Sequence, residues 1–200
     1  MMTITIALLT SFIGPIVVLV VKYYLDKQSK QFDNIREALQ VSQDVQHKIE
    51  SIRENVEADR VWLVQFHNGG YFYPTGKSIA KFSLVYETVS VNTKSIQQSF
   101  QNIPVSLFSK MLNYLLENET IRVPDCKNEP QGGSLRHIEQ DELCTSSYYF
   151  AIKSLEDRFI GVLGVNYTNT KRELTNEEIE TLTHHAAQIG GVLNANLKKT

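Results

Sequence analysis

Charge is missing from the first 21 residues of this chain, and neither sign is in excess over the whole 200. Twenty basic side chains stand against 22 acidic ones, for a formal net charge of −2. That balance leaves no basic field for non-specific nucleic-acid binding, and no nucleic-acid partner is expected. Cysteine is scarce as well. Cys126 and Cys144 are the only two. They make no disulfide framework and suit a reducing compartment, although the two could pair. No set of His, Cys and carboxylates has zinc-ligand spacing. No nucleophile, base and acid stand in a recognisable set, and no glycine-rich phosphate loop opens a helix. The sequence therefore names no catalytic residue, no metal and no cofactor, and a non-enzyme is expected.

The opening stretch itself is informative. ITIALLTSFIGPIVVLVV is about the length of helix that crosses a hydrocarbon core of roughly 30 Å. Gly14-Pro15 would bend it, which membrane helices tolerate. Tyr23 and Tyr24 follow at the position of interfacial aromatics, then Lys22, Lys27 and Lys30 supply positive charge on the far side. A cleaved signal peptide would have its basic residues in front and a small-residue cleavage site behind. The expectation is a single-pass transmembrane anchor over residues 1–24 in the inner or plasma membrane, with everything after it in the cytoplasm.

Residues 25–57 contain neither glycine nor proline and read as a helical connector. Leu25, Phe32, Ile35 and Leu39 keep one seam at heptad spacing. Val45, Ile49, Ile52 and Val56 keep another, out of register with the first, as a stutter would produce. The first half is expected to pair with a second copy as a coiled coil, giving a homodimer, and the second half to lean on the chain's own domain.

Past Asp59 the pattern becomes strand-like, and residues 58–200 read as one cytoplasmic domain. VWLVQF is a β-rich run, SIAKFSLVYETV a second, TIRVP a short third, and SSYYFAIKS with RFIGVLGVNYT a hairpin. Pro104 opens a helix with Leu107, Met111, Tyr114 and Leu115 as its apolar face. Thr175 and Glu178 form a capping box at the start of the last helix. Runs of strands broken by helices predict an α+β domain, an antiparallel sheet flanked by helices.

The helix leading into DRVWLVQFHN, the hairpin YYFAIKSLEDRFIGVLGVNYTN and the closing helix LTNEEIETLTHHAAQIGGVL together resemble the GAF domain family over roughly residues 35–197. The resemblance implies a six-stranded antiparallel sheet, a small-molecule cavity on one face, and dimerisation through the first and last helices. The PAS architecture fits the element order less well. The chain lacks the Asn-Lys-x-Asp-Glu-like signature of cyclic-nucleotide-binding members. It also lacks the Cys-His pair of bilin attachment, since Cys126 precedes Lys127 and Cys144 precedes Thr145. Free-methionine sulfoxide reductases of this family use cysteines near Cys144, but its neighbours here differ.

Candidate ligand-binding residues follow from position. His67, Asn68, Gly70, Tyr71 and Tyr73 lie in the glycine-aromatic stretch from His67 to Gly76, read as the loop joining the first two strands. His67 could donate or accept a hydrogen bond, and the tyrosines either cover a cavity or close the end of the sheet. On the second strand, strict alternation puts Lys81, Ser83, Val85 and Glu87 on one face and Phe82, Leu84 and Tyr86 on the other. Tyr148 alternates with Tyr149 on the hairpin. Arg136 and His137 sit in a polar stretch where an anion could be met. The expected function is a membrane-anchored sensory or interaction module without its own output domain, binding a small molecule and acting on a separate output protein. Two alternatives remain: a ligand-free dimerisation scaffold, and a cysteine-dependent small-molecule redox enzyme.

Overall fold

A computed structural model describes residues 2–72, 74–127 and 144–197, with the side chains of residues 2–13, 28–34 and 196–197 outside the description. The chain divides into two compact units, residues 1–42 and 43–200. The first is the leading part of α1 (Met2–Asn55), a helix that runs through Pro15. The side chains of Ile16, Val17, Val18, Leu19, Val20 and Val21 are exposed, as are Ile35 and Leu39 of the first seam. Among the described residues no helix is long and apolar enough to cross a membrane. Much of the expected anchor over residues 1–24 lies outside the described side chains, as does Phe32 of the first seam.

The second unit begins with the last turns of α1. Val45, Ile49, Ile52 and Val56, the second seam, are all buried, as an amphipathic stripe against a core requires. α1 ends without glycine. Glu57 takes a left-handed conformation, φ 51°, and the Ala58 N–H reaches back to the Arg53 carbonyl at 2.9 Å, so the last carbonyls are satisfied.

Then come β1 (Arg60–Tyr71) and β2 (Ser78–Val89), the short β3 (Ile103–Pro104), α2 (Ser109–Asn118), β4 (Thr120–Val123), β5 (Ser146–Lys153), β6 (Phe159–Tyr167) and α3 (Asn176–Leu197). The strands form one antiparallel sheet in the order β3-β2-β1-β6-β5-β4. α3 lies on β5 and β6. Its start is the expected capping box: the Glu178 N–H donates to the Thr175 hydroxyl at 3.2 Å, and the Thr175 N–H donates to the Glu178 carboxylate at 2.8 Å. Lys48 of α1 hydrogen-bonds Gln188 of α3, and the Tyr167 hydroxyl of β6 donates to the Val56 carbonyl at 2.7 Å. The end of α1 and α3 thus cover one face of the sheet.

The other face is covered by α2 and the segment before it. Pro104 opens a 3-10 turn, Val105–Phe108, rather than α-helix directly. The tighter turn resets the phase. Phe108, Leu112 and Leu115 point inward, while Leu107 and Tyr114, expected on the apolar face, are exposed.

Two other expectations are corrected. The loop expected over His67 to Gly76 is shorter: β1 continues through His67 and the glycines to Tyr71, with a register irregularity between Asn68 and Tyr71. The reversal comes later, where the Phe72 N–H donates to the Lys77 carbonyl at 2.8 Å. Gly69 lets the flexible Lys81 side chain lie against the strand, since a Cβ would sit 2.2 Å from Cδ of Lys81. Second, β2 does not alternate strictly. Leu63 pairs with Tyr86 but Val64 pairs with Leu84, so Val85 is a bulge. One extra residue flips every side chain beyond it. Glu87, opposite Trp62, therefore shares a face with Phe82 and Leu84, and Tyr86 joins the face of Lys81 and Ser83.

Candidate ligand cavity

Arg60, Trp62, Val64 and Phe66 alternate along β1 onto the face beneath α2. Through the sheet register they align with Phe82, Leu84 and Glu87 on β2, Val162, Gly164 and Asn166 on β6, and Ser147 and Tyr149 on β5. Gly164 creates the necessary hollow. A Cβ there would lie 2.1 Å from the Trp62 indole, so only glycine lets that ring lie across β6. Tyr149 meets the far side of Trp62 at a centroid distance of 5.8 Å.

Between this face and its cover lies a cavity of about 40 Å³. Its sheet wall is Trp62, Val64, Phe82, Leu84, Tyr149 and Val162. Ile96 and Phe100 from the β2–β3 connection, with Phe108, Met111 and Leu112, form the roof. Phe82 and Phe108 meet edge to face at 5.2 Å. One end is polar, made by Arg60, Cys144 and Asn166.

That polar end is closely organised. Arg60 is 2% exposed. It faces the Glu87 carboxylate at 3.4 Å, both side chains 3% exposed, and donates to the Lys94 carbonyl at 2.6 Å. Glu87 also accepts from the backbone N–H groups of Ile96, at 3.0 Å, and Gln97, at 3.2 Å, and from the Ser95 hydroxyl. The ion pair therefore holds in place the segment that carries Ile96 onto the cavity. Asn166 accepts from the Trp62 indole N–H and donates to the Ser147 hydroxyl at 2.9 Å. Cys144 Sγ lies 2.8 Å from that same hydroxyl.

Beside the cavity, Asp59 ties the chain together. Its carboxylate accepts the Thr168 N–H at 2.7 Å, the Asn169 N–H at 3.0 Å and the Asn169 side-chain amide at 2.9 Å. Burial pushes this carboxyl up, but the hydrogen bonds from Asn169 and Thr168 together bring it below its ordinary value.

The sequence-predicted candidates lie elsewhere. Glu87 comes nearest, behind Arg60. Ser83 and Lys81 are on the opposite face of β2 from the cavity lining, with Ser83 accepting from the Asn102 N–H and contacting His67 Nε2, each at 2.9 Å. His67, half-buried, thus ties the β1–β2 arm. Asn68, Gly70 and Tyr71 are exposed along that arm, and Gly70 has φ 105°. Tyr148 faces α3, its hydroxyl donating to the Arg172 carbonyl at 2.9 Å and accepting the Leu174 N–H at 3.1 Å. Tyr73, Arg136 and His137 lie outside the described residues. Arg60, Trp62, Tyr149 and Asn166 were not picked out from sequence, and Cys144 was picked out only as a redox candidate. The signal was available for three of them, since Arg60 and Asn166 are polar residues in phase with an apolar strand face, and Trp62 is the chain's sole tryptophan. Among the described residues no group of three His, Cys, Asp or Glu side chains is placed to hold a metal.

Known structures share this architecture. A far-red cyanobacteriochrome photoreceptor is similar at 18% identity with TM-score 0.61, over 87% of this chain and 95% of that one. The phycocyanobilin-bound GAF domain of a cyanobacterial phytochrome is similar at 16% identity with TM-score 0.65, over 86% and 93%. The blue-light-absorbing form of the PixJ GAF domain from Thermosynechococcus elongatus is similar at 14% identity with TM-score 0.63, over 80% and 88%. At such identities these likenesses speak to the fold alone. No match was found among the curated proteins. The GAF domain family model matches residues 45–193, from the buried Val45 of α1 to the last apolar turns of α3, and the chain belongs to the GAF domain family.

Proposed function

We propose that this chain is a membrane-anchored sensory module whose GAF domain binds a small, largely apolar molecule in the cavity between the sheet and α2, and signals to a separate partner protein. The observation that carries this reading is the cavity itself: an aromatic and aliphatic chamber with convergent polar groups at one end only. At about 40 Å³ it has room for about three to four waters, against the ~10–15 Å³ that one needs. The occupant is therefore a molecule of a few heavy atoms, or a larger one admitted as Met111, unbranched and adaptable, and the Ile96 segment shift. A tetrapyrrole such as the phycocyanobilin of the phytochrome relative has no space in this conformation. The uncharged leading run, its lysine flank and the exposed valines and leucine of α1 support the anchor.

A screen of small apolar compounds against the full chain, read by Trp62 fluorescence and thermal shift, tests the cavity. A ligand at a hundred times its Kd stabilises by about 2.7 kcal/mol. Binding that persists after Val162→Phe fills the chamber counts against it. Recovery of the intact chain wholly in the soluble fraction would overturn the anchor. A second reading, a ligand-free dimerisation scaffold, is favoured by how nearly full the chamber is and by the exposed Ile35 and Leu39. A dimer with no ligand response in the same screen selects it.

A further inference from the structure

We propose that Cys126 and Cys144 form a two-electron redox site that a hydroperoxide oxidises to an intramolecular disulfide. The register places them together. β4 and β5 pair as Thr120 with Phe150 through Val123 with Ser147. Continued past the ends of both strands, the same ladder sets Cys126 opposite Cys144. The Cys126 N–H donates to the Thr145 carbonyl at 3.0 Å, so the backbones stay adjacent there. Both residues are present as thiols, their sulfurs 3.6 Å apart. A disulfide needs about 2.05 Å, so closure moves the two sulfurs together by about 1.5 Å, within reach of side-chain rotation.

The surroundings suit the chemistry. Ser147 Oγ lies 3.4 Å from Cys126 Sγ and 2.8 Å from Cys144 Sγ. Asn166 Nδ2 points at Cys144 Sγ from 3.7 Å and at Ser147. Cys126 is half-buried and meets solvent, while Cys144 is buried and lines the cavity. A partly exposed thiol beside a buried one is the arrangement of an attacking and a resolving cysteine.

The Cys126 sulfur attacks the terminal peroxide oxygen. The O–O bond breaks, the alcohol leaves with the Cys126 proton, and Cys126 becomes a sulfenic acid. The Cys144 sulfur then attacks the Cys126 sulfur, the S–O bond breaks, and hydroxide leaves as water with the Cys144 proton. Two electrons have passed from the thiols to the peroxide, and an added dithiol reverses the state. Because Cys144 belongs to the cavity wall, and Asn166 joins it to Trp62, the oxidised form presents a different polar end. The site stands whether or not the cavity binds a ligand.

The test treats the full chain with stoichiometric hydrogen peroxide and maps its peptides. The expected product is one linkage per chain between the Cys126 and Cys144 peptides, with loss of two hydrogens, a change in Trp62 emission, and reversal by dithiothreitol. In Cys144→Ser, dimedone labels Cys126. Survival of both thiols, direct passage to sulfinic acid, or linkage only between chains overturns the proposal. Dimedone on Cys144 in Cys126→Ser with none on Cys126 in Cys144→Ser overturns the assigned order. The wild-type peptide map decides the main point even where a variant misfolds.

Discussion

Replacing Glu87 by glutamine keeps the shape of the side chain and removes the charge that faces Arg60. Both members of this pair are 3% exposed, so water screens almost none of the change. Breaking one side of a buried ion pair costs roughly 3–5 kcal/mol. The Lys94 carbonyl still accepts from Arg60, which sets the expectation at the lower end, about 3 kcal/mol. The Ile96 and Gln97 N–H groups keep an oxygen acceptor, but a neutral and weaker one. Against a total stability of ~5–15 kcal/mol this is a large fraction. With a urea slope of ~1–3 kcal/mol/M, the midpoint falls by about 1–3 M. Trp62, the sole tryptophan, lies on the same sheet face and reports the transition by its emission. Glu87→Leu combined with Arg60→Met removes both charges and recovers more than half of the loss. A midpoint for Glu87→Gln within ~0.3 M of wild type, or a double variant no better than the single, refutes the view that this pair organises the cavity end.

Gly164→Ala pushes a methyl group into the Trp62 ring and lowers stability by about 1–3 kcal/mol, with an altered Trp62 emission maximum in the folded state. Tyr167→Phe leaves the Val56 carbonyl without its hydroxyl donor and costs about 1 kcal/mol in the same urea titration. Thr175→Ala removes the cap of α3 and costs about 1 kcal/mol, measured by circular dichroism at neutral pH. Acid acts on two carboxylates. Glu178 is lowered by the Thr175 N–H first and by Arg172, and Asp59 is lowered as described. Each therefore adds stability that is present above its ordinary value, 4.5 for Glu178 and 3.8 for Asp59, and lost as pH falls through the lower folded value. Glu178→Gln and Asp59→Asn flatten the stability slope below about pH 4, and an unchanged acid limb in both removes these groups from the account.

Much of the fold was legible because its signals are local. The bounds of β2 and the end of α3 follow from composition and periodicity, and the Thr175–Glu178 box from two side chains three residues apart. The cavity was less legible because two local devices alter phase. The bulge at Val85 carries Glu87 to the opposite face from the one that alternation gives it. The 3-10 turn at Val105–Phe108 turns Leu107 outward and Phe108 in. Neither leaves a mark in residue type. The pairing of Cys126 with Cys144 depends on the β4–β5 register, which only the assembled sheet fixes.

The junction at Asp59 has a mechanical consequence. Only Glu57, Ala58 and Asp59 separate Val56, the last buried residue of α1's seam, from Arg60 in the cavity wall, and each of these three is held by a hydrogen bond or an ion pair of its own. There is no slack in this short link to absorb a shift. If the guanidinium moves when the chamber fills, the strain is handed to the foot of the helix, and a rotation of that foot reappears as a displaced cation.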